Sequence, residues 1–215
     1  MNEGNRGESG VEGSDSAIQV EWDSLRPTQG AVGYVQVLEK NMSYLGMPAE
    51  KRGQFLREQA IKVVRGPSGT LHVVDHHHWA RAWFDLGLPK AVVRPVANFS
   101  DLTEDVFIER MAERGWLHAF DKDGREISVQ DLPHSIAELP DDIFQSLAAF
   151  LRMAGIYDNP GEFNAKFAWA DFLRQHVDRR PSTVEGFARM FADAVSASRL
   201  PEAVELPGFI PSRSQ

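Results

Sequence analysis

The chain has 215 residues, 42% of them hydrophobic, enough to bury the core of one large domain or of a medium domain with an extension. It contains no cysteine, which excludes disulfides, thiolate zinc sites, iron–sulfur clusters and a cysteine nucleophile. Thirty-one acidic residues against 23 lysines and arginines leave a net charge of −8, which disfavours nonspecific nucleic-acid binding. No apolar run approaches the roughly 18 residues of a membrane span, so a soluble, cytoplasmic protein is expected.

Residues 1–17 combine four glycines, three serines and four acidic side chains with almost nothing large and apolar, and predict a disordered tail. Ile18 to Trp22 alternates as an opening strand, and Leu25 to Gln29 reads as a Pro-containing turn. Val32, Val35, Leu38, Met42 and Leu45 recur at three- and four-residue steps. They predict a helix with Thr28 as its cap and Gly46 as its stop, Gln36 and Lys40 sharing the other face. Ala49 to Gln59 is a second short helix. Ile61 to Val64 and Leu71 to Val74 are β-rich runs around Gly66-Pro67-Ser68-Gly69, a hairpin signal. Ala80, Trp83 and Leu86 form an amphipathic helix that stops at Gly87, and Lys90 to Val96 is a strand.

After Asp101 the pattern turns helical. Leu102 to Arg114 is one helix, and Gly115 to Val129 holds a hairpin about Asp121-Lys122-Asp123-Gly124. Helices follow at Asp141 to Ala154, Glu162 to His176 and Thr183 to Ala197; in the second, Phe163, Phe167, Ala170 and Leu173 line one core face. The end of the chain wraps over the surface or frays. The expected organisation is a tail at 1–17, a mixed αβ domain at 18–100, a helical extension with a small hairpin at 101–200, and a C-terminal tail at 201–215. The fold class is α+β.

Chemistry concentrates at Asp75-His76-His77-His78-Trp79, where the second hairpin strand gives way to a helix. A helix start offers outward N–H groups and the positive end of its dipole, which attract phosphate or carboxylate. Consecutive helical residues fan out by about 100°, so three adjacent histidines do not converge on one ion, and no metal site is expected from them. The Val-Val-Asp-His-His ending also resembles the metal signature of DHH phosphoesterases, but no Asp-x-Asp precedes it here. Histidines that merely cap the helix and bond to backbone remain an open reading.

The order of strand, Pro-containing turn, helix, hairpin and then VVDHHHWARAWFDLGLPKAVVRPV resembles the ParB/sulfiredoxin superfamily from Ile18 to Val96. With Ser146-Leu147-Ala148 and Trp169 to Arg174, the whole chain resembles the longer group called ParB-like nucleases. The box is similar to the Asp-Gly-His-His-Arg of free serine kinases of this fold. The resemblance implies a ParB/sulfiredoxin-like mixed αβ core with an α-helical C-terminal extension. It further implies a nucleotide- or phosphate-binding protein that catalyses phosphoryl transfer or phosphoester hydrolysis. Asp75 or His77 would be the general base, and His78 a phosphate ligand or general acid. Arg26, Thr28, Gln29, Lys40, His76 and Arg81 would contact the phosphates, with Mg²⁺ and a nucleotide (ATP, ADP or CTP) as the cofactor.

Three departures stand out: His76 replaces a glycine, Trp79 replaces an arginine for which Arg81 is the substitute, and Gln29 stands where the kinases have a glutamate. Sulfiredoxin activity is excluded by the missing cysteine. Two alternatives stay open, a DNA-binding partition-like protein and a noncatalytic module for a ligand or a protein. The enzymatic reading leans on the acid and imidazole cluster lining an open hollow at the mouth of the helix, where an anionic ligand can reach it.

Overall fold

The computed structural model describes residues 16–158, 161, 165–180 and 183–211. Of the expected N-terminal tail, all but residues 16 and 17 lie outside these, as do Phe163 and residues 212–215. The strands are β1 (Ile18–Val20), β2 (Leu25–Pro27), β3 (Ile61–Arg65), β4 (Leu71–Asp75) and β5 (Ala91–Asn98). The helices are α1 (Tyr34–Leu45), α2 (Ala49–Glu58), α3 (His77–Asp85), α4 (Glu104–Glu113), α5 (Ile143–Met153), α6 (Ala165–His176) and α7 (Val184–Ala197). They fall into two compact units. Of the described residues, one comprises those up to Thr28 with Met47–Leu117 and Pro133–Glu138; the other comprises Gln29–Gly46, His118–Leu132 and those from Leu139 on.

The first unit is built on a mixed sheet in the order β1-β5-β3-β4-β2. β3 and β4 form the expected antiparallel hairpin, whose turn needs left-handed backbone at Ser68 (φ 58°) and Gly69 (φ 80°). Gly87, at φ 70°, ends the segment after α3 as a glycine stop should. Leu25 to Pro27 is a strand rather than a turn, lying parallel to β4. Pro27 is tolerated there because β2 is the edge of the sheet, where a missing N–H breaks no ladder. On one side of the sheet Val64, Val74 and Ala97 pack with Phe107 and Met111 of α4. Ile61, Val63, Val73 and Trp83 are also fully buried.

The second unit is helical. α5 packs against α6 and α7 around Leu147, Leu151, Trp169, Leu173, Met190 and Ala194, all fully buried. Phe167, Ala170 and Leu173 lie on the buried face that their spacing predicts. Asp142 caps α5 by accepting the Phe144 N–H (3.1 Å), and the Thr183 hydroxyl caps α7 through the Gly186 N–H (3.0 Å). The described part of the final segment wraps against α6: Trp169 Nε1 donates to Pro207 O (2.8 Å), and Ala203 is fully buried. The hairpin about Asp121 shrinks to a tight turn closed by one bridge, Phe120 with Glu126.

Helix α1 corrects the sequence reading twice. Its N-cap is Gly33, not Thr28, and its buried residues are Gln36, Val37 and Tyr44. Leu38, Met42 and Leu45 are exposed at 59%, 75% and 53%. Polar and steric fits at its start decide which face docks. A Cβ on Gly33 would run into Ser146 of α5, whose hydroxyl accepts the Gln36 N–H (3.3 Å), while the Tyr34 N–H reaches Asp141 Oδ1 (2.8 Å).

Two histidines are held neutral by these packings. In the second unit His118 stacks on Phe167 at 3.5 Å and on Phe120 at 4.7 Å; burial, then Lys166 and Arg174, push its pKa down to about 3. In the first, His72 packs on Phe107, and burial, then Arg26, lower it to about 4. Unfolded, each titrates near 6.5, so between these values the unfolded chain binds more protons. Stability carried by the neutral rings is complete above pH 6.5 and is lost as the pH falls toward 4 and 3. His118→Phe, which keeps the stack without the titrating group, is expected to lose less of its urea midpoint between about pH 7 and about pH 4 than the wild type. An equal loss would remove His118 from the account of acid sensitivity.

Candidate functional site

At the end of β4 the backbone turns left-handed at His76 (φ 68°, ψ 27°) and enters α3 at His77. That conformation costs a residue with a side chain roughly 1–2 kcal/mol, and local hydrogen bonds hold it. The His76 N–H donates to Asp75 Oδ1 (2.7 Å), and its ring Nδ1 faces the carbonyls of Gln59 (3.0 Å) and Ala60 (3.1 Å), just beyond α2. Both carbonyls only accept, so Nδ1 carries the hydrogen and Nε2 is the basic nitrogen. Nε2 lies 3.9 Å from Asp75 Oδ2, which also accepts from Lys62 Nζ at 2.8 Å.

Burial alone would raise the pKa of Asp75. The Lys62 hydrogen bond, the charges of His76 and Lys62 and the His76 N–H outweigh it, so the group stays below its ordinary value and remains a carboxylate at neutral pH. These three side chains are open to solvent: Lys62 is 42% exposed, Asp75 46% and His76 24%.

His77 and His78 are not. They are 2% and 6% exposed, which corrects the expectation of an open cluster of three imidazoles. Once the helix begins, each residue turns by about 100° from the last, and the two rings swing inward. His77 Nε2 accepts the Thr28 N–H at 3.2 Å, so this nitrogen carries no hydrogen; the Thr28 hydroxyl in turn donates to Val73 O at 2.6 Å. The pair ties the end of β2 to the start of α3.

Of the expected phosphate contacts, only His76 stands beside Asp75 with a ring partly open to solvent. Arg26 folds back onto the carbonyls of Asp23 (2.8 Å) and Leu25 (3.0 Å). Arg81 is engaged by Asp85 (2.8 Å) and by Ala137 O (3.2 Å). Gln29 and Lys40 belong to the second unit, where burial is the first cause lowering the Lys40 pKa. Lys62 escaped the sequence reading. Counting outward from the Gly66–Gly69 turn sets Lys62 opposite Val74; a bulge between Lys62 and Val63 shifts the pairing by one residue and brings Lys62 opposite Asp75, so the hairpin pattern alone does not reveal it. Among the described residues no group of three or more His, Asp or Glu side chains is gathered to hold a metal ion. No helix among them is long and apolar enough to cross a membrane.

A mixed sheet whose hairpin strand feeds a helix through a polar box is the architecture of the ParB/sulfiredoxin superfamily. A family model described as "Putative ParB-like nuclease" matches residues 18–175, and the chain belongs to that family. The crystal structure of protein Atu1540 from Agrobacterium tumefaciens is similar at 34% sequence identity with a TM-score of 0.81, covering 92% of this chain and 99% of that one. Among curated proteins, none matches.

Proposed function

We propose that the protein binds a nucleotide or another phosphate-bearing small molecule at the β4–α3 junction and catalyses phosphoryl transfer or phosphoester hydrolysis there. The observation that carries this reading is the solvent-accessible, half-buried Lys62–Asp75–His76 group at the opening end of α3, where the helix dipole adds positive potential. His76 Nε2, freed for the task by the carbonyls on Nδ1, takes the proton of an attacking water or hydroxyl as its oxygen bonds to phosphorus and the leaving oxygen departs. Asp75 stabilises the imidazolium that results. His77 acts as a positioning residue through Thr28, and His78 packs within the first turn of α3.

With a single carboxylate in this group, the donor set fits a magnesium ion that arrives on the phosphates rather than one held in a protein cage. Asp75 is the side chain that would meet it, and the ion would supply charge neutralisation on the phosphate oxygens.

Thermal unfolding in the presence of ATP, ADP or CTP, with and without Mg²⁺, tests the reading, since a ligand that prefers the folded state raises its melting temperature. A rise with at least one nucleotide is expected; none with any of them overturns it. The burial of His77 and His78 favours a second reading, a module that holds its ligand without turning it over. Nucleotide binding without any release of phosphate would decide for that module.

A further inference from the structure

Counting across the sheet brings together charges that are distant in sequence. Lys62 on β3 is in register with Asp75 on β4 and with Arg94 on β5, so three charged residues form one row with neighbouring strands about 4.8 Å apart. Arg94 uses one guanidinium nitrogen to bond Arg57 O at 2.9 Å, near the end of α2, close in sequence to the Gln59 and Ala60 carbonyls that hold the His76 ring. Its Nε is buried and meets no acceptor, and among the described residues Arg94 has no carboxylate partner. The row therefore carries two cations against one carboxylate, beside the positive end of α3.

We propose that Lys62 and Arg94 together form the phosphate subsite of the junction and that the subsite takes two adjoining phosphates, as in the polyphosphate chain of a nucleotide or in free pyrophosphate. Two cations one strand spacing apart match a diphosphate better than a single phosphate group. A guanidinium can grip such oxygens through paired N–H bonds while an ammonium acts as a point charge. This inference rests on the reading of the junction as a phosphate site.

Isothermal titration of the full chain with ATP, pyrophosphate and adenosine tests it and separates the two sources of the ligand. The wild type is expected to bind ATP and pyrophosphate and to ignore adenosine. Lys62→Gln and Arg94→Gln should each weaken both anions by about tenfold, the size of one charge-assisted contact. Arg114→Gln removes a cation of the same unit whose guanidinium lies over Phe99 and Trp116, and should change affinity by less than about twofold. Arg94→Gln also loosens the end of α2; Lys62→Gln, on a half-exposed side chain, keeps the test valid if that variant unfolds. Binding of ATP by the wild type with both variants unaffected would overturn the subsite and leave the junction reading standing. Binding of adenosine as tight as that of ATP would also overturn the subsite. Failure of the wild type to bind either anion would overturn the subsite, and the junction reading with it if ADP and CTP also leave the melting temperature unchanged.

Discussion

Arg174→Ala is expected to cost the protein about 3–5 kcal/mol in urea unfolding at neutral pH, the range for removing one partner of a buried ion pair. The carboxylate of Asp142 is 3% exposed and takes one N–H of Arg174 at 2.8 Å, while its other oxygen caps α5. Arg174 also pairs with Asp171 and lies over the Phe144 ring at 5.2 Å, so the truncation removes packing as well as charge. The size of the effect comes from the buried carboxylate left behind. Burial already raises the pKa of Asp142, with the charge of Arg174 the main opposing cause. In the variant that pKa climbs further, the folded state binds a proton more readily, and the deficit against the wild type should shrink as the pH falls toward about 4. Adding Asp142→Asn, which keeps the cap and discards the charge, should recover part of the loss at neutral pH. A deficit that neither acid nor the Asp142→Asn change reduces would mean that lost packing, not an orphaned carboxylate, sets the cost.

The local elements of this chain were written in short-range signals. Gly66 to Gly69 turned the hairpin, Gly87 stopped the segment after α3, and Thr183 capped α7, each through a backbone requirement within a few residues. What sequence pattern could not settle was which of two workable faces the tertiary structure would choose. In α1 the spacing of Leu38, Met42 and Leu45 is good helical periodicity, yet the helix docks on its other face because Gly33 and Ser146 allow a close approach there and Ser146 takes a backbone N–H. Leu25 to Pro27 hid as a turn because a three-residue strand with a proline has no periodicity to detect, and only its place at the sheet edge permits it.

The histidine box divides in the same way. Its place between a strand and a helix was readable, and so was its likeness to the family. The roles within it depended on one dihedral angle: the left-handed turn at His76 leaves that ring outside and sends His77 and His78 inward. Lys62 and Arg94 join the box through strand register, and register is a property of pairing that no window along the chain contains.

Removing the His76 ring should therefore separate folding from chemistry. In His76→Gly the left-handed backbone becomes free of strain, which offsets the loss of the ring bonds to Gln59 and Ala60; stability is expected to stay within about 1 kcal/mol of the wild type. Phosphate release, by contrast, should fall by about 10²–10⁴-fold, the usual contribution of a positioned general base. Asp75→Asn adds a change of opposite sign in binding. It removes the one negative charge of the row and leaves Lys62 unneutralised, so pyrophosphate should bind more tightly while turnover drops with the loss of the carboxylate that stabilises the imidazolium. His77→Gln acts elsewhere: it disturbs the tie to Thr28 and should lower the melting temperature, with turnover lost only in proportion to misplacement of the junction. The outcome that would sink this division of labour is a stable His76→Gly protein with full turnover alongside a folded His77→Gln protein with none, because the reacting imidazole would then be the buried one.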